Sequence, residues 1–438
     1  MKTYARYKDS GISWIGEIPE HWDVVPFREG FDFGKGLPIT KDDLVEKRDN
    51  AVPVISYGQI HSKINEGTCL KEELLRYVDP KFLESNPQSL LKSDDVVFAD
   101  TSEDLEGCGN CVRNTIKGNV FAGYHTVIAR LKKNSMGQYL SYLFQSDKWR
   151  SQIRTIVNGV KVYSVTRGHL RRCKLLIPPS EEQKSISDYL DKKMEQINGL
   201  VATKQRQIEL LIEYKQSLIA NAVTKSINPK VKMKDSGINW IGMVPEHWNI
   251  HFLFQKAKEH YISNKNVHHQ NLLSLSYGRI IQKDINTTEG LLPESFDTYQ
   301  IVEDGNIVLR LTDLQNDHKS LRVGYVTQEG IITSAYECLE VMPGCFSKYL
   351  YYQLHSFDIK KMFYGMGGGL RQNLNYNELK KIRIAVPPFE EQKVIVEYIE
   401  NRVSSIDTQI SSIEKQIANL NEYKQSLISD VVTGKVKV

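Results

Sequence analysis

KDSGISWIGEIPEHW at Lys8–Trp22 returns as KDSGINWIGMVPEHW at Lys234–Trp248, changed only at Ser13/Asn239, Glu17/Met243 and Ile18/Val244. Two further pairs follow each copy. They are IPPSEEQK at Ile177–Lys184 against VPPFEEQK at Val386–Lys393, and EYKQSLI at both Glu213–Ile219 and Glu422–Ile428. The first pair is offset by 226 residues (Lys8 to Lys234) and the other two by 209 (Ile177 to Val386). The stretches lying between Trp22 and Ile177, and between Trp248 and Val386, have little in common. Two near-identical frames therefore carry two different inserts. Identical frames point to two contacts with identical partners, and different inserts to two different things being read.

Each Pro-Pro opens a long helical stretch. In the second copy apolar residues fall at Ile395, Ile399, Val403, Ile406, Ile410, Ile413, Ile417, Leu420, Leu427 and Val431, with Lys424 the polar member. The first gives Ile186, Leu190, Met194, Ile197, Val201, Ile208, Leu211, Leu218 and Ala222, interrupted by Lys204 and Lys215. From Ile399 onward the steps alternate four and three, a 3.5-residue repeat over roughly five heptads, which predicts a coiled coil in which the two helices pair with each other. Each stretch of about 40 residues would span ~60 Å. Proline bars an earlier start, and Ser180-Glu181-Glu182-Gln183 places acids in the first turn.

The inserts read as β-rich. The first has short runs at Val52–Tyr57, Asp95–Ala99, Val120–Leu131 and Arg172–Ile177. The second has them at Leu272–Tyr277, Asn306–Arg310, Ile331–Met342 and Lys381–Val386. Gly, Asn and Asp punctuate both sets. Ser56-Tyr57-Gly58 matches Ser276-Tyr277-Gly278, and Gly159 with Leu170 matches Gly368 with Leu379. The expected fold class is α+β: two globular α+β domains, two long helices forming a coiled coil, and an internal pseudo-two-fold repeat. The segments run 1–23 (opening segment), 24–176 (first insert), 177–224 (first helix), 225–248 (linker and repeated opening), 249–385 (second insert) and 386–438 (second helix).

Composition bounds the class. Across 438 residues, 40% are hydrophobic and 25% charged, ordinary for a globular chain. No run of about 18 apolar residues suggests a membrane span, and the start MKTYARYKDSG lacks the apolar stretch of a signal peptide, so a cytoplasmic location is expected. Six scattered cysteines do not form a disulfide framework. A net charge of +4 permits an anionic partner without demanding one.

Catalytic and metal motifs fail on inspection. Cys108-Gly-Asn-Cys111 has metal spacing, but only His125 is a nearby third candidate, so no metal site is assigned. Val386-Pro387-Pro388-Phe389 echoes the Pro-Pro box of amino-group DNA methyltransferases, yet valine cannot hydrogen-bond a base amino group. No Walker sequence, dinucleotide fingerprint or nucleophile–base pair is present, and no catalytic residue is assigned. The Gly-rich stretch Tyr364–Asn373 instead offers Arg371, Gln372 and Asn373, side chains able to contact base edges. Its counterpart in the first insert offers Lys161, Tyr163, Ser164 and Arg167, and Tyr57, Tyr277, Arg279 and Arg310 complete the DNA-binding candidates. Trp14, Trp22, Trp240 and Trp248 suit packing anchors between frame and helices. With Tyr214 and Tyr423 they are also the candidates for docking a partner.

The doubled KDSGxxWIGxxPEHW, the PPxxEQ ahead of each long helix and the doubled EYKQSLI together resemble the specificity subunit of type I restriction-modification enzymes, across the whole chain. The resemblance implies two target recognition domains, each reading one half of an asymmetric double-stranded DNA site, and an antiparallel coiled coil that sets the spacing between the halves. It also implies docking to two methyltransferase (modification) subunits and two restriction subunits. S-adenosylmethionine, ATP and Mg2+ would then belong to those partners, with no cofactor in this chain. The competing reading is a non-catalytic scaffold or adaptor that binds proteins through both inserts and no nucleic acid.

Overall fold

A computed structural model describes residues 3–132, 137–159, 161–286, 295–314, 321–366 and 373–438. The frame forms the same way twice. Strand Tyr7–Asp9 pairs antiparallel with Glu17–Pro19, and Met233–Asp235 pairs with Met243–Pro245. The turns between them use glycine in the left-handed region at Gly11 and Gly16, and again at Gly237 and Gly242. Next, Asp23–Pro26 pairs with Lys174–Ile177, and Asn249–Phe252 with Arg383–Val386. Each of these pairs draws the two ends of an insert together beside the start of a long helix.

The helices run Ser180–Lys225 and Phe389–Val432, each starting directly after its Pro-Pro. Every seam position read from the sequence is buried or half-buried, the lysines included. Partners along the seam run in opposite directions: Lys204 meets Gln416, whereas Asn198 meets Lys424. The helices are therefore antiparallel.

Packing divides the chain into two compact units, 1–204 with 415–438 and 205–414. Each unit holds one insert, the start of the helix that follows it and the end of the other helix. In the first, Ile186, Leu190 and Met194 share a core with Leu427, Ile428 and Val431. In the second, Ile395, Ile399 and Ile406 share one with Leu218, Ile219 and Val223. Buried tyrosines repeat the arrangement: Tyr139 donates its hydroxyl to Val432 O (3.2 Å), and Tyr349 to Val223 O (3.2 Å).

Both inserts are built on one four-stranded antiparallel sheet. Its order is Phe31–Lys35, Thr126–Leu131, Val96–Ala99, Cys111–Arg113 in the first insert. In the second it is Ala257–Glu259, Glu337–Val341, Ile307–Leu309, Val323–Tyr325. Two of the long β runs are each split by a turn. Val120–Leu131 becomes Phe121–Ala122 and Thr126–Leu131, and Ile331–Met342 becomes Gly330–Ile332 and Glu337–Val341. An apolar run carries no mark of where a chain must change sheets. Among the described residues no helix is long and apolar enough to cross a membrane.

One carboxylate ties each frame to its helix. Glu182 accepts from Trp22 Nε1 (3.0 Å) and Tyr4 OH (3.0 Å) and meets His21 Nε2 at 2.6 Å. Glu391 accepts from Trp248 Nε1 (3.1 Å) and Ser226 Oγ (3.1 Å) and meets His247 at 2.7 Å. The neighbouring glutamine closes the Pro-Pro turn: Gln183 Nε2 donates to Pro178 O (2.7 Å) and Gln392 Nε2 to Pro387 O (2.9 Å). Trp22 and Trp248 are fully buried. That matches their reading as anchors and corrects their reading as docking residues, since neither indole offers a surface to a partner. Trp14, Trp240, Tyr214 and Tyr423 are exposed.

Burial pushes the Glu182 carboxyl up, but hydrogen bonds from Trp22, His21 and Tyr4 outweigh it and hold the group below its ordinary 4.5. A carboxylate depressed in this way adds stability above its unfolded pKa, and the gain is lost as pH falls through the folded one. The first unit should therefore lose stability on acidification below about 4.5, and Glu182→Gln should remove that part of the loss. Glu182→Ala or Glu391→Ala strands an indole donor and should cost about 1–3 kcal/mol, measured as a fall in the denaturation midpoint.

Candidate nucleic-acid interface

In the first insert, strand Tyr163–Ser164 pairs antiparallel with Thr101–Ser102 as a separate two-stranded sheet. Val165 is buried and donates its N–H to Asp100 O at 2.7 Å. A short helix, Arg167–Arg172, follows, with the Thr166 hydroxyl accepting from His169 N at 3.2 Å. Leu170 is fully buried under it, as is Leu379 under the matching helix Tyr376–Leu379. These anchors leave Lys161, Ser164 and Arg167 exposed and Tyr163 half-buried.

Ser164 and Arg167 line a cleft of about 400 Å³ together with Lys35, Asp100, Gly123 and His125. His125 holds a left-handed backbone (φ 55°) and turns Nδ1 toward Asp100 Oδ1 at 3.2 Å. Two basic side chains, a hydroxyl and an imidazole in an open cleft suit a phosphate backbone and base edges. Sequence reasoning missed Lys35, and it weighed His125 only as a metal ligand. Nothing in the sequence says that either residue faces Ser164.

The shared Ser-Tyr-Gly skeleton does not fold alike, which corrects that equivalence. Tyr57 begins a helical turn, Tyr57–Ile60, half-buried and edge-on to His125 (5.3 Å) and Tyr124 (5.6 Å). It supports the cleft through His125 rather than lining it. Tyr277 instead occupies the two-residue turn between strands Leu273–Ser276 and Arg279–Gln282. Its φ is 47° and that of Gly278 is 77°, both positive as a type I′ hairpin requires. Tyr277 is 76% exposed and Arg279 is exposed beside it. The turn packs so closely that a Cβ on Gly278 would lie 2.9 Å from Leu321.

Arg371 and Gln372 lie outside the described residues. Asn373 is exposed and accepts from Asp313 N (2.8 Å), while Arg310 is half-buried. Both flank Arg322, a guanidinium with no exposed surface. Arg322 donates to the carbonyls of Arg310 (3.1 Å) and Thr312 (2.8 Å) and to Tyr364 OH (3.0 Å), and lies 5.2 Å from the Tyr364 ring centre. Its backbone N–H donates to Asp358, whose carboxyl is pushed up to about 6 by burial. Arg322 thus pins both the segment ending at Leu314 and the chain at Tyr364. In the amino-acid sequence it reads like any exposed arginine.

Cys108 and Cys111 are buried, and burial pushes the Cys111 thiol up to about 12. Both side chains belong to the apolar core of the first unit.

Replacing Arg322 by methionine keeps the volume but leaves buried carbonyls without a donor. It should destabilise the second unit by about 2–3 kcal/mol, seen as faster hydrogen exchange at Arg310–Asp313, with the first unit unchanged.

Residues 19–210 and 295–421 match the family described as the type I restriction modification DNA specificity domain. The chain is 24% identical over 440 residues to a putative type I restriction enzyme MjaX specificity subunit of Methanocaldococcus jannaschii, covering 97% of this chain and 96% of that one. It is 21% identical over 233 residues to the EcoKI specificity subunit of Escherichia coli K12, covering 53% and 47%. Among solved structures, a chain from a study of complex assembly and conformational transition of the type I R-M system aligns with a TM-score of 0.67 at 14% identity, covering 96% of this chain and 99% of that one. The HsdS subunit from Thermoanaerobacter tengcongensis aligns at 0.50 and 15%, covering 96% and 98%.

Proposed function

Because the chain belongs to the type I restriction-modification DNA specificity family, whose role is DNA recognition, we propose that each insert reads one half of a two-part, asymmetric double-stranded DNA site. The carrying observation is that one frame, repeated down to the Glu182 and Glu391 junctions, presents two chemically different faces. The first is the Lys35–His125–Ser164–Arg167 cleft, and the second the Tyr277–Arg279 hairpin with the Arg310 and Asn373 segments. Arg371 and Gln372 remain proposed base contacts of the second insert.

The repeated frame and helices dock two methyltransferase (modification) subunits at equivalent surfaces, through the exposed Trp14, Trp240, Tyr214 and Tyr423. Two restriction subunits complete the complex. The chain itself is non-catalytic and acts in the cytoplasm. S-adenosylmethionine, ATP and Mg2+ belong to the partners. A protein-only scaffold would lack salt-dependent DNA binding, whereas this reading requires it once the modification partner is present.

Exchanging residues 24–176 for another family member's insert should change one half of the methylated motif and leave the other intact. Within the native chain, Arg167→Ala should weaken or relax that same half by about 1–3 kcal/mol if it contacts a base. If it contacts phosphate it should weaken all sequences alike. Methylome sequencing of a host carrying each variant reads both outcomes, and a motif altered in both halves by the exchange would overturn the assignment.

The helices further act as a ruler. A heptad added at facing positions, after Lys204 and after Lys415, keeps the seam in phase and adds about 10 Å of helix. The unread gap in the methylated motif should grow by about three base pairs. An unchanged gap with activity retained would remove the ruler role.

A further inference from the structure

The EYKQSLI repeat places a lysine in the coiled-coil seam twice, Lys215 and Lys424, and the same 209-residue offset pairs Asn198 with Asp407. Each lysine meets the other helix at that second position. Lys215 Nζ reaches both oxygens of Asp407, at 2.7 and 2.8 Å. Lys424 Nζ reaches only an amide oxygen, Asn198 Oδ1 at 2.8 Å, although its side chain is just 18% exposed. A largely buried ammonium needs a carboxylate nearby. In the first unit the helix does not provide one.

The insert does. Glu66 accepts from Asn198 Nδ2 (3.1 Å) and lies 3.8 Å from Lys424 Nζ and 3.5 Å from Lys71 Nζ. Its backbone is fixed on both sides. Asn65 Nδ2 donates to Ile60 O (2.8 Å) and Cys111 O (3.1 Å), and Gly67 O accepts from Arg113 N (3.0 Å). Gly67 has φ 78°, and any Cβ there would collide with the Gln145 amide. The carboxylate is thus held against the helix by the same loop that packs on the recognition sheet at Cys111–Arg113. Among the described residues of the second insert, no carboxylate makes such a contact at the equivalent lysine, whose ion pair is with Asp407. A cavity of about 420 Å³ lies there instead, lined by Lys215, Asp407, Tyr277, Gly278 and Arg279.

We propose that Glu66 is a positioning residue that locks the first reader onto the coiled coil at Lys424, a lock with no counterpart at Lys215 among the described residues of the second insert. The proposal rests on the inserts being DNA readers. It implies that the first insert is co-adapted with Asn198 and Lys424, whereas Lys215 is already neutralised by Asp407 on the facing helix.

The test separates neutralising a lysine from fixing a reader. The full chain is assayed in complex with its modification partner as wild type, Glu66→Ala, Asn198→Asp and the double variant. Glu66→Ala should lower the melting temperature, speed hydrogen exchange over residues 62–71 and reduce discrimination about two- to fivefold in the half-site read by the first insert only. Adding Asn198→Asp recreates the Lys215–Asp407 arrangement and should restore the melting temperature, but neither the exchange protection nor the discrimination. Full recovery of all three by the double variant would reduce Glu66 to a counter-ion and overturn the proposal, as would unchanged discrimination in Glu66→Ala. If the wild-type complex selects no DNA site, the DNA-reading assignment fails. Hydrogen exchange over 62–71 still decides whether the lock exists.

Discussion

The architecture hangs on a carboxylate in the first turn of each long helix. Glu182 and Glu391 each gather an indole N–H and an imidazole from an opening segment about 140–160 residues earlier in the chain. A buried indole must place its N–H somewhere, and a carboxylate accepting it is a strong solution. The adjacent glutamine returns to a Pro-Pro carbonyl, so one dipeptide fixes both where the helix begins and what it seats. Everything between the opening segment and the helix is thereby free to vary. Its two ends are clamped by the strand pair Asp23–Pro26 with Lys174–Ile177, or by its counterpart Asn249–Phe252 with Arg383–Val386.

The seam of the coil is apolar except at a few lysines, and these carry its register. An apolar seam alone tolerates slippage by a heptad, whereas a buried ammonium accepts only the register that supplies its partner. Lys215 finds Asp407, Lys424 finds Asn198 and Lys204 finds Gln416. The repeat is thus symmetric in geometry but not in charge.

The inserts show how one fold carries two chemically different faces. The shared sheet and the buried Leu170 and Leu379 keep the last short helix in the same place. The segments rimming it diverge. A helical turn at Tyr57 stands where the other insert makes a two-residue hairpin turn at Tyr277. Loops anchored on a rigid sheet can change side chains without disturbing the core, which is where recognition can evolve.

The frame was legible in the amino-acid sequence because its determinants are local or periodic. Pro-Pro sets the helix starts, the 3.5-residue spacing sets the seam, and the doubled motifs announce the repeat. The exposure of Ser164 and Arg167 was also legible, since a polar stretch after glycine marks a loop. What the sequence did not hold was which distant residues meet. Lys35 and His125 join Ser164 only through strand pairing, and Trp22 and Trp248 are enclosed rather than exposed because a carboxylate far along the chain draws each indole inward. Identical tripeptides at Tyr57 and Tyr277 fold differently because the sheet around each imposes its own path, and Arg322 reads like any surface arginine until three segments converge on it. Local chemistry determines elements and their ends. Which side chains share a site depends on non-local packing, and only the tertiary structure decided that.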